Sequence, residues 1–90
     1  MSNNSDNFVT ATKVVMNLTQ TPSNDEKLEL YKNFKQATFG DVNTERPGML
    51  DFAGKAKWDA WDSVKGTSMH DAEVAYITTV NGLIQKYGLN

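Results

Sequence analysis

Apolar side chains recur at intervals of three and four residues along most of the chain, which is the spacing of one helix face. The first such segment covers roughly Ser5 to Leu18, and the second runs from Ser23 to Phe39. A third covers roughly Gly54 to Lys65, and a fourth runs from Ser68 to about Lys86. No segment alternates for long enough to indicate a β-strand. The pattern therefore predicts an all-α domain of four helices.

Capping and breaking residues mark the ends of these helices. Pro22 separates the first helix from the second, and Ser23 with Glu26 has the form of a capping box. Ser68 begins the fourth helix in the same way, with Asp71 as a weaker partner. The last three helices are each followed by a glycine that can take the left-handed conformation of a helix end: Gly40, Gly66 and Gly88.

Residues 40–53 show no sustained periodicity and predict a long loop between the second and third helices. The segment contains GDVNTERPG, with Pro47-Gly48 as a predicted tight turn. A loop of this length in so small a domain is often functional. Three apolar residues near its end are expected to pack it onto the core: Met49, Leu50 and Phe52.

Two lysines lie where apolar residues are expected. Lys35 falls within the apolar arc of the second helix, and Lys57 lies at the centre of that of the third. Burying an ammonium group is costly unless an anion meets it, and neither arc carries a carboxylate. The pattern favours an anionic ligand that has an apolar part. The neighbours on the two arcs are Leu28, Tyr31, Phe34 and Phe39 on one helix and Ala53, Ala60, Trp61 and Val64 on the other.

Two structural interpretations compete with a ligand. Each lysine stem can lie over apolar surface while its ammonium reaches water, and Lys57 can stack on Trp61 four residues later. However, the pattern occurs on two helices, and Tyr31 and Tyr76 place hydroxyl groups within apolar arcs. Lys35, Lys57 and these two tyrosines would together form a cationic pocket suited to a phosphate beside a flat ring.

Composition excludes several classes of protein. The 90 residues correspond to one domain, residues 1–90, with 39% hydrophobic and 22% charged residues, as in a globular protein. A net charge of −2 argues against nucleic-acid binding, and the absence of cysteine excludes disulfides and thiolate metal sites. Neither a membrane-spanning run nor a signal peptide is present, so we expect a cytoplasmic protein without stable membrane insertion.

No metal site is predicted. Asp41, Asn43 and Glu45 alternate like the start of a calcium-binding loop. The pattern then fails, because Arg46 and Phe52 occupy the positions at which an EF-hand needs glycine and glutamate.

No catalytic set is predicted either. His70 is the only histidine and falls on the polar side of a helix start, and the nearby Ser68 is expected to cap that helix. No third partner for a triad is evident. We therefore expect a protein that is not an enzyme and needs no cofactor.

Residues 35–61 carry a resemblance to a known family. They read KQATFGDVNTERPGMLDFAGKAKWDAW, which strongly resembles the signature of the acyl-CoA-binding protein family. The preceding LELYKNF and the later GTSMHDAEVAYI match the family in position, so the likeness covers essentially the whole chain. It implies a four-helix bundle with up-down-down-up topology and a long loop between helices 2 and 3.

The resemblance also implies a function. Members of the family bind long-chain acyl-CoA esters, bury the acyl chain, grip the CoA head group, and carry and buffer these esters in the cytosol without catalysis. By this likeness the chain is a monomer whose ligand is a medium- to long-chain acyl-CoA ester. The head-group positions of the family fall on Tyr31, Lys35, Lys57 and Tyr76, and Leu28 is expected to line the apolar groove.

At four ligand-related positions the chain departs from the family pattern. Phe34 replaces a usual tyrosine, and Thr12 replaces a frequent alanine. Met16 and Ala53 stand where many members have lysine, so this chain is less basic around the ligand. Phe34, Met16 and Thr12 remain candidate ligand-binding residues. The alternative function is a small helical module that docks a partner protein through Trp58, Tyr31 and the loop.

Overall fold

A computed structural model describes residues 4–90 and contains four α-helices within that range. Helix α1 spans Asp6–Val14, α2 spans Asn24–Phe39, α3 spans Phe52–Asp62 and α4 spans Met69–Tyr87. A short 3₁₀ turn, Val15–Asn17, follows α1. The predicted all-α class with four helices is confirmed.

The first helix ends earlier than the predicted Leu18. Leu18 has an extended backbone, with ψ of 143°, and pairs with Leu89 in an isolated antiparallel bridge. The amide of Thr19 donates to the Gly88 carbonyl at 3.0 Å, and that of Asn90 donates to Asn17 at 2.9 Å. These long-range hydrogen bonds replace the last turn of helix, and the periodicity of α1 does not reveal them.

The third helix is also displaced from its predicted range of Gly54 to Lys65. It begins at Phe52 because the Asp51 carboxylate accepts a hydrogen bond from the Gly54 amide at 2.9 Å and caps the helix. A side chain at position 54 would collide with that carboxylate, so the glycine permits the cap. Turns over residues 63–66 replace the predicted last helical residues.

The other predicted caps agree with the structure. Ser23 and Glu26 form a complete capping box at the start of α2, and the Ser68 hydroxyl accepts from the Asp71 amide at 3.0 Å. The three glycines after the helices all have positive φ angles, which a glycine adopts without steric cost. The angles are 78° at Gly40, 90° at Gly66 and 81° at Gly88.

Contacts between helix ends establish the up-down-down-up topology. Ser5 at the start of α1 donates to Glu73 near the start of α4, and both helices end beside the Leu18–Leu89 bridge, so α1 and α4 are parallel. Helix α2 is antiparallel to them, because Glu26 at its start contacts Lys86 near the end of α4. Helix α3 runs parallel to α2.

Both ends of α3 demonstrate this parallel arrangement. The Trp61 indole near its end donates to the carbonyl of Gly40, which follows α2, at 2.9 Å. Ala53 near its start shares a cavity with Asn24 and Leu28 near the start of α2. The chain must therefore return along the full length of α2 between the two helices, which explains the long loop.

The core lies between α1, α2 and α4. Ala37 of α2 and Ala72 of α4 are completely buried, and their small side chains allow close packing of these two helices. The cluster is completed by Phe8, Ala11, Tyr76 and Val80. Among the described helices, α3 packs only against α2, which leaves a cleft along the line where they meet.

Polar anchors hold the loop between α2 and α3. The Gln36 side chain, which is buried, donates to Asp41 at 2.9 Å and to the Thr67 carbonyl at 2.8 Å. Arg46 forms a two-pronged ion pair with Asp59 of α3, at 2.8 and 2.9 Å. These contacts connect the loop to both neighbouring helices.

The apolar end of the loop does not pack as predicted. Met49, Leu50 and Phe52 are 80%, 85% and 72% exposed, so the expectation that they cover the core is wrong. The core is already filled by α1, α2 and α4, and α3 adds one layer outside α2. The loop is held instead by the polar anchors described above.

A cluster around Glu26 connects the start of α2 to the end of α4. Its carboxylate accepts hydrogen bonds from the Tyr87 hydroxyl at 2.6 Å, from Lys86 at 2.9 Å and from the Ser23 amide at 2.8 Å. These donors, led by Tyr87, lower the pKa of Glu26 to about 2.

We predict that Glu26 contributes a pH-dependent part of the stability. Its folded-state pKa lies below the unfolded value of 4.5, so its contribution is complete above that pH and is lost as the pH falls toward about 2. Glu26→Gln, which keeps an acceptor for Ser23, should lower stability at pH 7 and flatten its decline between these values. Urea unfolding as a function of pH measures this.

Glu29→Gln is the matched control, because Glu29 lies on the same helix and pairs with Lys32 at the surface. Surface pairs of this kind contribute little, so the control should follow the wild-type pH profile. If Glu26→Gln retains the wild-type dependence on pH, the assigned role of the carboxylate is wrong.

Candidate functional site

Two lysines flank the ring of Tyr31 where α2 and α3 lie side by side. The ammonium of Lys35 lies 6.0 Å from the ring centroid, and that of Lys57 lies 5.7 Å from it. Lys35 is one turn after Tyr31 on α2, and Lys57 approaches from α3. The parallel packing of α2 and α3 thus brings together the two lysines that were anomalous in the sequence.

Lys35 is held by aromatic rings on both helices. Its ammonium lies 4.2 Å from the centroid of Phe39 and 4.8 Å from that of Trp61. In the competing interpretation Lys57 stacks on Trp61, but in the structure Lys35 takes this place, since the Trp61 indole is turned toward α2 and the Gly40 carbonyl. Cation–π attraction of this kind orients a lysine without neutralising its charge.

Neither lysine is paired with a carboxylate among the described residues. Lys35 is half-buried and Lys57 is exposed. The two ammonium groups therefore leave a concentration of positive charge on this side of a chain that is negative overall. The ion pairs within residues 4–90 lie elsewhere and join Lys32 to Glu29, Arg46 to Asp59, and Lys86 to Glu26.

Three described cavities meet at Tyr31, which lines all of them. The largest, which we call the groove, has a volume of about 470 Å³ and runs between the first halves of α2 and α3. Small alanines on α3 leave the space, and the walls are mainly apolar. The groove is lined by Asn24, Lys27, Leu28, Tyr31, Ala53, Ala56 and Lys57.

The second cavity, which we call the lysine pocket, has a volume of about 250 Å³. It contains Lys35 and Lys57, with the loop forming one wall. The Trp58 indole donates to the Thr44 carbonyl at 2.9 Å and so holds that wall in place. The lining residues are Tyr31, Lys35, Thr44, Pro47, Gly54, Lys57, Trp58 and Trp61.

The third cavity, which we call the side cavity, has a volume of about 240 Å³ and lies between α2 and α4. It is lined by Lys27, Leu30, Tyr31, Phe34 and Tyr76. Tyr76 is 5% exposed, and burial raises the pKa of its hydroxyl, which therefore stays protonated as a donor. Its ring lies 6.2 Å from that of Phe34.

The structure brings together most of the candidate residues. Tyr31, Lys35 and Lys57 lie in one pocket, and Leu28 lies in the adjoining groove. Phe34 and Tyr76 line the side cavity, on the other side of Tyr31.

Thr12 and Met16 line none of these three cavities. The Thr12 hydroxyl donates to the Val9 carbonyl of its own helix at 2.6 Å. Met16 lies on the 3₁₀ turn and is 81% exposed, so its side chain is available to solvent.

Several lining residues were not predicted as ligand contacts, Lys27 and Thr44 among them, and Trp58 was named only for the alternative docking function. Lys27 precedes Tyr31 by four residues and Phe34 by seven. This spacing predicts that Lys27 lies on the same face of α2 as these two residues. Thr44 contributes through its backbone carbonyl, which no residue type encodes.

The acidic residues of the loop have structural partners. The Asp41 carboxylate accepts hydrogen bonds from the Gly66 amide at 2.8 Å and from Gln36 at 2.9 Å. These bonds lower the pKa of Asp41 and connect the loops on either side of α3. Within residues 4–90 no group of three or more acidic or histidine side chains converges to hold a metal ion.

The fold and this site define a small helical domain with an amphipathic ligand groove. None of the helices described here is both long and apolar enough to cross a membrane. A groove with an apolar floor and unpaired ammonium groups at one end matches a ligand that is partly apolar and partly anionic.

Comparison with known proteins places the domain in a family. Residues 5–80 match the family model of acyl CoA binding protein. Acyl-CoA-binding protein homolog 1 of Caenorhabditis elegans is 53% identical over 81 residues, which is 90% of this chain and 94% of the relative. A homolog from Drosophila melanogaster is 52% identical over 83 residues, or 92% and 96% of the two chains.

A solved structure of a family member also matches this fold. The crystal structure of Acyl-CoA-Binding Protein 2 from Oryza sativa has a TM-score of 0.85 and 41% sequence identity, and the match covers 90% of each chain. The chain therefore belongs to the acyl-CoA-binding protein family, and the resemblance seen in its sequence is confirmed.

We predict that the Trp58 indole stabilises the wall of the lysine pocket. Trp58→Phe removes the hydrogen bond to Thr44 but keeps an aromatic ring, and it should cost about 1 kcal/mol of stability. It should also speed amide hydrogen exchange in residues 42–48. Thermal unfolding and exchange measured by mass spectrometry test both effects.

Phe39→Leu is the control, because Phe39 is an aromatic residue outside the loop that makes no hydrogen bond to it; its ring is more exposed than that of Trp58. It should leave exchange in residues 42–48 unchanged. Unaltered exchange in the Trp58 variant would mean that the indole does not hold the loop.

Proposed function

We propose that this protein binds medium- to long-chain acyl-CoA esters, buffers them and carries them within the cell. Membership of the family supports this function. The main structural support for this function is that two lysines without carboxylate partners lie around Tyr31, at the end of an apolar groove. Acyl-CoA has the matching character, with a polyanionic head and an apolar tail.

The head group is assigned to the lysine pocket and its surroundings. Lys35 and Lys57 bind phosphate oxygens, and the Tyr31 and Tyr76 hydroxyls add hydrogen-bond donors. Charge-assisted hydrogen bonds of this kind contribute roughly 1.5–3 kcal/mol each. Because the rings already orient Lys35, less side-chain freedom is lost when it binds.

The acyl chain is assigned to the groove between Leu28 and the alanines of α3. Burying a chain of about sixteen carbons yields on the order of 10 kcal/mol gross, at about 0.8 kcal/mol for each CH₂. Loss of translational freedom and ordering of the chain remove several kcal/mol or more from this gain. The tail then supplies most of the affinity, and the head group supplies discrimination against free fatty acids.

We assign no catalytic activity to the protein. His70 lies exposed at the first turn of α4, and the nearby Ser68 hydroxyl caps that helix. A thioesterase or acyltransferase needs a nucleophile with a base in reach. Incubation with palmitoyl-CoA and a free-thiol assay should detect no release of CoA. We further propose that the protein acts as a monomer in the cytoplasm.

A helical protein-docking module is the second candidate, favoured by the exposed Met49, Leu50 and Phe52. Two of the residues that such a module would use for docking already make contacts within the protein. Trp58 holds the loop, and Tyr31 lies between the two lysines. Native mass spectrometry separates the candidates, since a carrier retains a mass near that of an acyl-CoA ester.

We predict that Lys35→Ala or Lys57→Ala weakens the binding of palmitoyl-CoA by roughly 1.5–3 kcal/mol, the range for a charge-assisted hydrogen bond. Both variants should stay folded by circular dichroism. Because Lys35 also packs against rings, Lys35→Met keeps the stem and isolates the charge. Isothermal titration calorimetry gives the affinities.

Lys32→Ala is the matched control, since Lys32 lies on α2 three residues before Lys35 but pairs with Glu29 at 2.8 Å. It should bind as the wild type does. A Lys35 or Lys57 variant that binds equally well would show that the lysine in question merely covers apolar surface.

We also predict that Met16→Lys strengthens binding by about 1 kcal/mol, because it restores the positive charge that many family members carry at this position. Met16 is exposed, so the change should leave the fold intact. Asn17→Lys adds the same charge one residue later and should have a smaller effect. Calorimetry showing unchanged or weaker binding by the position-16 variant would reject the prediction.

A further inference from the structure

Lys27 lies at the boundary between the groove and the side cavity. Apart from Tyr31, it is the one residue that lines both of these cavities. It precedes Tyr31 by one helical turn and Phe34 by two, so its stem follows the ligand-facing arc of α2. Lys27 is therefore well placed to contact whatever passes between the two cavities.

The charge of Lys27 is unpaired among the described residues. The neighbouring Lys32 is paired with Glu29, and Lys35 is surrounded by rings, but no carboxylate lies within ion-pairing distance of Lys27. It is also the basic residue of the side cavity, which otherwise has apolar and aromatic walls. This cavity consequently has a single positive charge.

A second donor lies in the same cavity. Tyr76 lines this cavity and is only 5% exposed, and burial raises the pKa of its hydroxyl, which stays protonated. An ammonium and a hydroxyl beside the rings of Phe34 and Tyr76 are suited to a phosphate next to a flat ring. An uncharged acyl chain would use neither donor.

We propose that Lys27 is a third cationic contact for the CoA head group and pairs with a ligand phosphate in the side cavity. The inference rests on the function proposed above. Phosphates are then held on both sides of Tyr31, by Lys35 and Lys57 on the side of α3 and by Lys27 on the side of α4. The acyl chain occupies the groove that starts between them.

The competing role for Lys27 is coverage of the acyl chain by its stem, with the ammonium in water. The two roles differ in their response to loss of the charge and to salt. Lys27→Met keeps an unbranched apolar stem and removes only the charge. If the charge binds phosphate, we expect palmitoyl-CoA affinity to fall by roughly tenfold at low salt.

The dissociation constant of the Lys27→Met variant should also rise less steeply with salt than that of the wild type, because one charged contact is gone. Lys27→Arg should retain most of the affinity and the wild-type dependence on salt. Lys32→Met, on the same helix, removes a lysine that is already paired and should change neither property. Calorimetric titrations of palmitoyl-CoA at low and high salt measure all four proteins.

Equal or tighter binding by Lys27→Met, or an unchanged dependence on salt, would overturn the assignment and identify Lys27 as a covering residue. The wild-type titration separates this failure from that of the proposed function. If the wild type does not bind palmitoyl-CoA, the function itself is wrong. If it binds and the variant is unaffected, only the role of Lys27 is wrong.

Discussion

The parallel packing of α2 and α3 is the constraint on which the site depends. Because both helices run in the same direction, a step of one turn along α2 is matched by a step of one turn along α3. Contacting residues therefore stay side by side along the whole interface. Tyr31 therefore meets Lys57, and Lys35 meets Trp61 one turn further along. Antiparallel helices joined by a short turn would reverse the order of α3 and separate these groups. The charge and the aromatic rings converge only through this arrangement.

The same arrangement explains why the loop is long and why so many polar groups hold it. The chain must cover about 24 Å, the length of sixteen helical residues, to return to the start of α2. Ordering such a segment costs conformational entropy. Indole hydrogen bonds from Trp58 and Trp61, the Arg46–Asp59 pair and the buried Gln36 offset this cost. The loop in turn forms one wall of the lysine pocket.

Local signals in the sequence predicted the class, number and approximate extent of the helices, because periodicity and capping act over a few residues. The capping box at Ser23 is one example. Long-range partners could not be predicted in this way. The pairing of Leu18 with Leu89 shortens α1, and the exposure of Met49 and Leu50 depends on how fully α1, α2 and α4 already fill the core.

The candidate site, like the fold, was predicted where the signal is local and missed where it depends on how the helices pack. Lys35 and Lys57 stood out because an ammonium within an apolar arc conflicts with the helical pattern. Lys27 lies on the same side of α2 as Tyr31 and Phe34 but near the start of the helix, where a charged residue raises no conflict. Its position between two cavities depends on where α3 and α4 pack, and the spacing along α2 does not contain that information.

A titration of the ¹⁵N-labelled protein with palmitoyl-CoA, followed by NMR, tests the account most directly. The account predicts that the largest amide shifts fall in residues 27–35 and 53–61 and around Tyr76, with saturation at one equivalent. Shifts confined to the exposed apolar tip at Met49 and Leu50, with the two lysine-bearing helix faces unchanged, would contradict it.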